Sequence, residues 1–187
     1  EERTQNMNYD WKLILAANHL RRGHLVAHAT ESVVGLGTSV YSAAGFDKLM
    51  TLKSRMEAKK FLVIAANLAQ VQEVADIEVP LQAEILESWP GAVTWVLPLC
   101  SQAPTWLASE EGEVAIRMTG HKQATQLCEL SGPLVSTSAN RAGKVPAKTL
   151  HRARTYFGQE VDFYLSGKLG GNVRPSKIIH GISGNTI

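Results

Sequence analysis

The chain has 187 residues, 44% hydrophobic and 19% charged, with a formal net charge of only +2. This excludes a disordered chain and suits one domain with an ordinary core. No apolar run reaches the length of a membrane span, and the polar start Glu1 to Asn8 is no signal peptide, so no membrane association is expected.

Hydrophobic periodicity alternates short helices and strands. Asp10 caps a first helix, Trp11 to Arg21, stopped by Gly23. Leu25 to Ala29 reads as a strand running into the loop Thr30 to Gly37. Ser42 caps a second helix reaching about Lys53. Phe61 to Ala66 is a buried strand, followed by a helix after Asn67. Pro80 opens another helix that ends near Ser88. Trp89-Pro90-Gly91 is a turn, and Ala92 to Leu97 and Val114 to Met118 are strands. His121 to Leu130 is a helix, and Leu134 begins a strand. Thr149 caps a helix to Phe157, closed by Gly158. Val161 to Leu165 and Lys177 to His180 are the last strands, with Asn185 to Ile187 as strand-like residue. The expected fold is a single α/β (α+β) domain with a mixed sheet.

Charge is unevenly spread. Phe61 to Ile116 holds eight acids and no Lys or Arg, whereas Arg117 to the end holds ten Lys or Arg against three acids. Such asymmetry favours an anionic partner on one face. Cys100 and Cys128 lack metal-type spacing and read as reduced thiols of a cytoplasmic protein, with a disulfide as the lesser alternative.

Six polar clusters fall at strand or helix ends, where open α/β sheets place ligands. The most informative is Pro133-Leu134-Val135-Ser136-Thr137-Ser138-Ala139-Asn140, an apolar run that ends in Ser, Thr, Ser and Asn. Those side chains can bind a ligand rich in oxygens, though they are also the usual turn residues. Thr30-Glu31-Ser32 with Gly35 and Gly37 reads equally as a ligand loop or as a strand exit. Lys53, Arg55, Lys59 and Lys60 put four cations within eight residues. They suit a helix C-terminus, and a bound triphosphate would also relieve their repulsion. Thr94 follows the turn Trp89-Pro90-Gly91. Arg117 stands in an apolar strand, which reads either as the solvent face of an edge strand or as a partly buried Arg that needs an anionic partner, such as a ligand carboxylate or phosphate. Gly170 to Ser176 is a glycine-rich polar loop. The chain has no P-loop, no dinucleotide fingerprint, no zinc spacing and no nucleophile elbow. No catalytic residue is assigned, the six histidines included. Catalysis would rest on binding and orienting charged substrates.

These clusters, in this order, resemble the YrdC/TsaC family of threonylcarbamoyl-AMP synthases. Ala29 to Gly37 looks like its Pro-Thr-Glu-Thr-Val-Tyr-Gly-Leu-Gly loop, and Lys53-Ser54-Arg55 like its Lys-x-Arg-Pro segment. Trp89 to Thr94 matches Trp-Pro-Gly-Pro-x-Thr, Val114 to Arg117 matches Val-Ala-x-Arg, and Pro133 to Asn140 matches Pro-Leu-x-Ser-Thr-Ser-Ala-Asn. Pro175-Ser176 matches a late Pro-Ser-Thr element. Ala29, Val34, Met56, Lys59-Lys60-Phe61 and Ile64 depart from the pattern, as does the lack of a Leu-Arg-x-Gly element after Gly184. The reading is the short, single-domain bacterial branch, with a YrdC-like domain over 9–187 and a polar extension over 1–8.

The resemblance implies a twisted mixed sheet flanked by helices, with a large basic cavity. It implies synthesis of threonylcarbamoyl-AMP and pyrophosphate from L-threonine, bicarbonate or CO2, and ATP. Mg²⁺ would ride on the ATP, with no metal ligand from protein side chains. Lys53, Arg55, Lys59, Thr94, Ser136, Ser138 and Asn140 would bind ATP, with Lys53 and Arg55 stabilising the transition state. Thr30, Ser32, Arg117 and Ser176 would bind threonine. Implied partners are downstream threonylcarbamoyl-transferase proteins, with tRNA a further candidate. An RNA-binding module for tRNA or ribosome maturation is the alternative, since the basic C-terminal part offers phosphate contacts. A carbamoyl-transfer domain of the hydrogenase-maturation type would require the zinc-finger cysteines of much longer chains, which are lacking here.

Overall fold

The computed structural model describes residues 10–53, 61–171 and 177–187. Helix α1 (Trp11–Arg21) starts where the Asp10 carboxylate accepts from the Lys12 amide, and the chain turns away through Gly23 at φ 75°. Strand β1 (Val26–Ala29) and strand β2 (Val34–Ser39) form an antiparallel pair. Gly35 to Gly37, expected in a loop, are therefore strand residues. The glycines hid the strand because they carry no apolar side chain to mark it. Helix α2 (Ala43–Lys53) begins with the Gly45 amide bonded to the Ser42 hydroxyl at 3.0 Å.

Strand β3 (Leu62–Ala65) and short helix α3 (Leu68–Gln72), capped by Asn67, come next. Helix α4 (Gln82–Ser88), strand β4 (Val93–Pro98) and strand β5 (Glu113–Met118) follow. Helix α5 (Lys122–Ser131) leads into strand β6 (Leu134–Ser138). Helix α6 (Leu150–Phe157) is capped by Thr149 and ended by Gly158 at φ 50°. Strand β7 (Phe163–Tyr164) and strand β8 (Lys177–His180) complete the sheet, and Thr186 bridges to Ile179.

The eight strands run in the order β7-β1-β2-β6-β3-β5-β4-β8, with parallel and antiparallel neighbours mixed. Strand alternation divides the core. Val26, Ile64 and Leu134 pack under α1 and α5 with Leu13, Leu20, Leu127 and Cys128. Ala27, Leu36, Val63, Val135, Ile116 and Trp95 face the other way, with Leu49, Val71, Ile85 and Phe157 among the side chains of that second cluster.

The α1/α5 face turns polar along its length. His28 pairs with Gly35, and Ser136 with Gly37, so all four share it. Arg117 pairs with Ile64 and joins them. Trp95 pairs with Ile116, which sets Thr94 opposite Arg117. On the other face the fit between α2 and β2 depends on Gly45. A Cβ there would stand 2.2 Å from Thr38 Oγ1 and 2.6 Å from the Gly23 carbonyl oxygen. Gly45→Ala therefore destabilises the protein by ~1–3 kcal/mol despite alanine's higher helix propensity. Urea unfolding with an unchanged m-value checks this.

Candidate functional site

The sequence clusters touch one another in succession. The register Gly35↔Ser138 lays the mouth of the Thr30–Ser32 loop beside the end of β6, and the Ala139 amide donates to the Val34 carbonyl at 2.8 Å. From the end of α2, the Lys53 ammonium donates to Ser138 O at 2.8 Å, Asn140 O at 3.0 Å and Asn140 Oδ1 at 2.9 Å. Its three N–H groups thus meet three oxygens. The Ser138 hydroxyl donates to Asn140 Oδ1 at 2.7 Å, and Asn140 Nδ2 donates to Arg141 O at 3.0 Å. The amide cannot flip without losing donors on one side and its acceptor on the other. Lys53 is 2% exposed, so the cation works from inside the fold.

Arg117 reaches the same loop from β5. Its Nη2 lies 3.3 Å from Glu31 Oε2, both side chains buried, and the Thr119 hydroxyl donates to Glu31 Oε1 at 2.8 Å. The anionic partner that the sequence left to a ligand is therefore Glu31 itself. The pairing is incomplete: Arg117 Nε and Glu31 Oε2 are buried without a hydrogen-bond partner. A buried orphan donor is costly, and a ligand oxygen would satisfy it. Burial pulls the Arg117 pKa below its ordinary value, and Glu31 pushes it back up.

The remaining clusters close on this pair. The Gly91 amide donates to the Met118 carbonyl at 3.0 Å, which ties the Trp89-Pro90-Gly91 turn to the end of β5. The Gly170 amide donates to Thr30 O at 3.0 Å, and a Cβ at Gly170 would meet the Glu31 Cα at 2.9 Å. His121 Nε2 and Gln123 Nε2 hold this stretch through Lys168 O and Ser166 O. The Thr30 hydroxyl donates to Val33 O at 2.6 Å and closes its own turn, while Ser32 is half-buried. Thr94 and Ser136 are buried in the polar face. Arg55, Lys59 and Ser176 lie outside the described residues.

A cavity of about 630 Å³ opens between Phe46, Met50, Phe61, Val96, Leu107 and Ala115. Glu110, Glu111 and Glu113 complete its rim. Its described lining is apolar and acidic, so the expected basic hollow is not seen there. Sequence reasoning also passed over His28, Glu31 and Thr119 as site residues. Thr119 is signalled only by following an apolar strand, and His28 only by interrupting one.

His28 is fully buried, and burial lowers its pKa from an ordinary 6.5 to about 4. The Ala29 carbonyl and Glu31 oppose that drop, while His121 and Arg117 add to it. The ring is neutral in the fold at neutral pH. Between pH 6.5 and about 4 the unfolded chain takes up a proton that the folded state refuses, so stability falls as pH drops through that window, by about 3 kcal/mol. His28→Gln flattens the pH dependence of unfolding free energy by that amount, measured by urea titrations at pH 7, 5.5 and 3.5.

A family model for the Sua5, YciO and YrdC proteins, described as "Telomere recombination", matches residues 18–187. A protein of Methylococcus capsulatus named threonylcarbamoyl-AMP synthase is 41% identical over 179 residues, covering 95% of this chain and 96% of its own. One of the same name from Cellvibrio japonicus is 40% identical over 184 residues, covering 95% and 97%. Among solved structures, P. abyssi Sua5 complexed with L-threonine superposes with a TM-score of 0.82 at 31% identity. The match covers 91% of this chain and 51% of that one, so the chain spans about half the length of that Sua5. E. coli YciO shares the fold at a TM-score of 0.78 and 17% identity, covering 94% and 86%. Matched by the family model over residues 18–187 and 41% identical to a relative that it covers almost end to end, the chain belongs to the Sua5/YciO/YrdC family.

Proposed function

We propose that the protein is an L-threonylcarbamoyladenylate synthase, joining L-threonine, CO2 or bicarbonate, and ATP into threonylcarbamoyl-AMP and pyrophosphate. The observation that carries this reading is the buried Arg117–Glu31 pair, with its unpartnered guanidinium Nε and with Glu31 on the loop that enters β2 opposite Ser138. The names of the full-length relatives and the threonine complex of P. abyssi Sua5 support it. The reaction needs two anions side by side. The threonine amine takes up CO2 as a carbamate and loses a proton, a carbamate oxygen attacks the α-phosphorus, and pyrophosphate leaves.

In this reading Arg117 holds the threonine carboxylate, with Thr30, Ser32 and Ser176 around the amino acid. Arg55 and Lys59 meet the phosphates. Thr94, Ser136, Ser138 and Asn140 line the nucleotide side. Lys53 acts through the loop it holds, placing Ser138 and Asn140 and lending its charge to the same region. Rate enhancement comes from positioning and from fixed cationic charge. Among the described residues no group of three or more His, Cys, Asp or Glu could hold a metal ion. We assign Mg²⁺ to the triphosphate oxygens, where it would neutralise charge on the leaving pyrophosphate.

Among the described residues no helix is long and apolar enough to cross a membrane, and we place the enzyme in the cytoplasm. The product serves tRNA modification, through transferase proteins that move the threonylcarbamoyl group to tRNA.

Purified protein given threonine, bicarbonate, Mg²⁺ and ATP forms the adenylate, seen by mass detection, and pyrophosphate release requires both threonine and bicarbonate. Tight tRNA binding without that release would favour an RNA-binding module instead. Arg55→Ala weakens ATP binding by about tenfold or more, the loss of one charge-assisted contact. Isothermal titration with ATP checks it. Arg117→Gln raises the threonine KM more than the ATP KM, and it also costs ~3–5 kcal/mol of stability by stranding Glu31. Paired kinetic and unfolding measurements separate the two effects.

A further inference from the structure

His28 is a buried histidine that the reaction as described does not use. Its ring occupies a slot floored by glycine. A Cβ at Gly35 would lie 3.1 Å from the ring, and one at Gly37 would lie 3.2 Å from Nε2. Both glycines leave room for a side chain on β1 to reach across β2 to β6. There Nε2 stands 3.4 Å from Ser136 Oγ, while Nδ1 stands 3.1 Å from the Ala29 carbonyl. A carbonyl can only accept, so Nδ1 carries the ring's proton. Nε2 is left as an acceptor, and the Ser136 hydroxyl is placed to donate to it.

We propose that His28 is a positioning residue that takes the Ser136 proton into a hydrogen bond and leaves the serine oxygen with only lone pairs to offer a ligand. A hydroxyl left alone rotates and can meet donor or acceptor; one held by a neutral imidazole cannot donate elsewhere. Ser136 would then repel a phosphate oxygen. The ligand group it meets is a donor: an N–H, a hydroxyl or a metal-bound water. The inference deepens the assignment of Ser136 to the nucleotide side and rests on it. Burial of the ring is consistent with this role, since it keeps the imidazole neutral.

The test is a double-mutant cycle read in adenylate formation, joined to nitrogen NMR of the imidazole in the unsubstituted protein. NMR is expected to show the Nδ1-protonated tautomer, with the Nε2 resonance shifted by Ser136→Ala. In kinetics, Ser136→Ala and His28→Phe each raise the ATP KM about tenfold with a smaller change in kcat, as expected for one lost contact. The double variant is no worse than Ser136→Ala alone. His28→Gln, whose amide oxygen can accept from the serine, stays within about threefold of the unsubstituted enzyme. Multiplicative effects, or an Nε2-protonated ring, would overturn the proposal. If His28→Phe fails to fold, the glutamine variant and the tautomer decide. If Ser136→Ala leaves the kinetics unchanged yet moves Nε2, the hydrogen bond stands, and what falls is the placement of Ser136 in the site and with it the ligand-facing half of the proposal.

Discussion

The register of β2 against β6 is the constraint on which the site depends. Gly35 opposite Ser138 sets two distant loops side by side, and a slip by one residue would turn Ser136 and Ser138 to the opposite face. Two features hold that register. Leu36 and Val135 point into one core cluster and Leu134 into the other. Lys53, anchored in α2, binds the backbone at the end of β6 and just beyond it through Ser138 O and Asn140 O. A cation at the end of one helix thereby fixes the loop that follows a strand on the other side of the motif.

The same sheet face solves two problems at once. Where Val26, Ile64 and Leu134 stand it is apolar and sealed by α1 and α5. Where His28, Ser136, Thr94 and Arg117 stand it is polar and buried. Buried polar groups require partners, and most here have them. The Arg117–Glu31 pair leaves one donor and one acceptor unmatched. Buried ion pairs add little net stability once desolvation is counted. In the proposed function, the pair would serve to hold a guanidinium rigidly, and already dry, for an amino-acid carboxylate.

Much of this was legible in the sequence because the signals were local. Asp10, Ser42, Asn67 and Thr149 are caps whose chemistry acts within three residues, and each begins the helix it announces. The six clusters were legible as polar interruptions at element ends. Their partners were not, because partnership is set by register. Nothing in Arg117 points to Glu31, 86 positions earlier, and nothing in Lys53 points to the carbonyls of Ser138 and Asn140, since backbone oxygens leave no trace in composition. Gly35 and Gly37 misled for a physical reason. Glycine usually marks a loop, but here it thins a strand so that His28 can cross it. The acidic rim of the cavity was equally hidden, although Glu110, Glu111 and Glu113 lie within four consecutive residues, because only folding sets them against Phe46 and Phe61.

The central claim is that the separate segments form one substrate site. Backbone amide NMR of the 20.4 kDa chain, titrated with L-threonine and then with Mg²⁺ and ATP, tests it most directly. A single site predicts that amides of 30–35, 117–119 and 136–140 shift together, along one saturation curve for each ligand. Shifts confined to one of these segments, or separate segments saturating at unrelated concentrations, would contradict it.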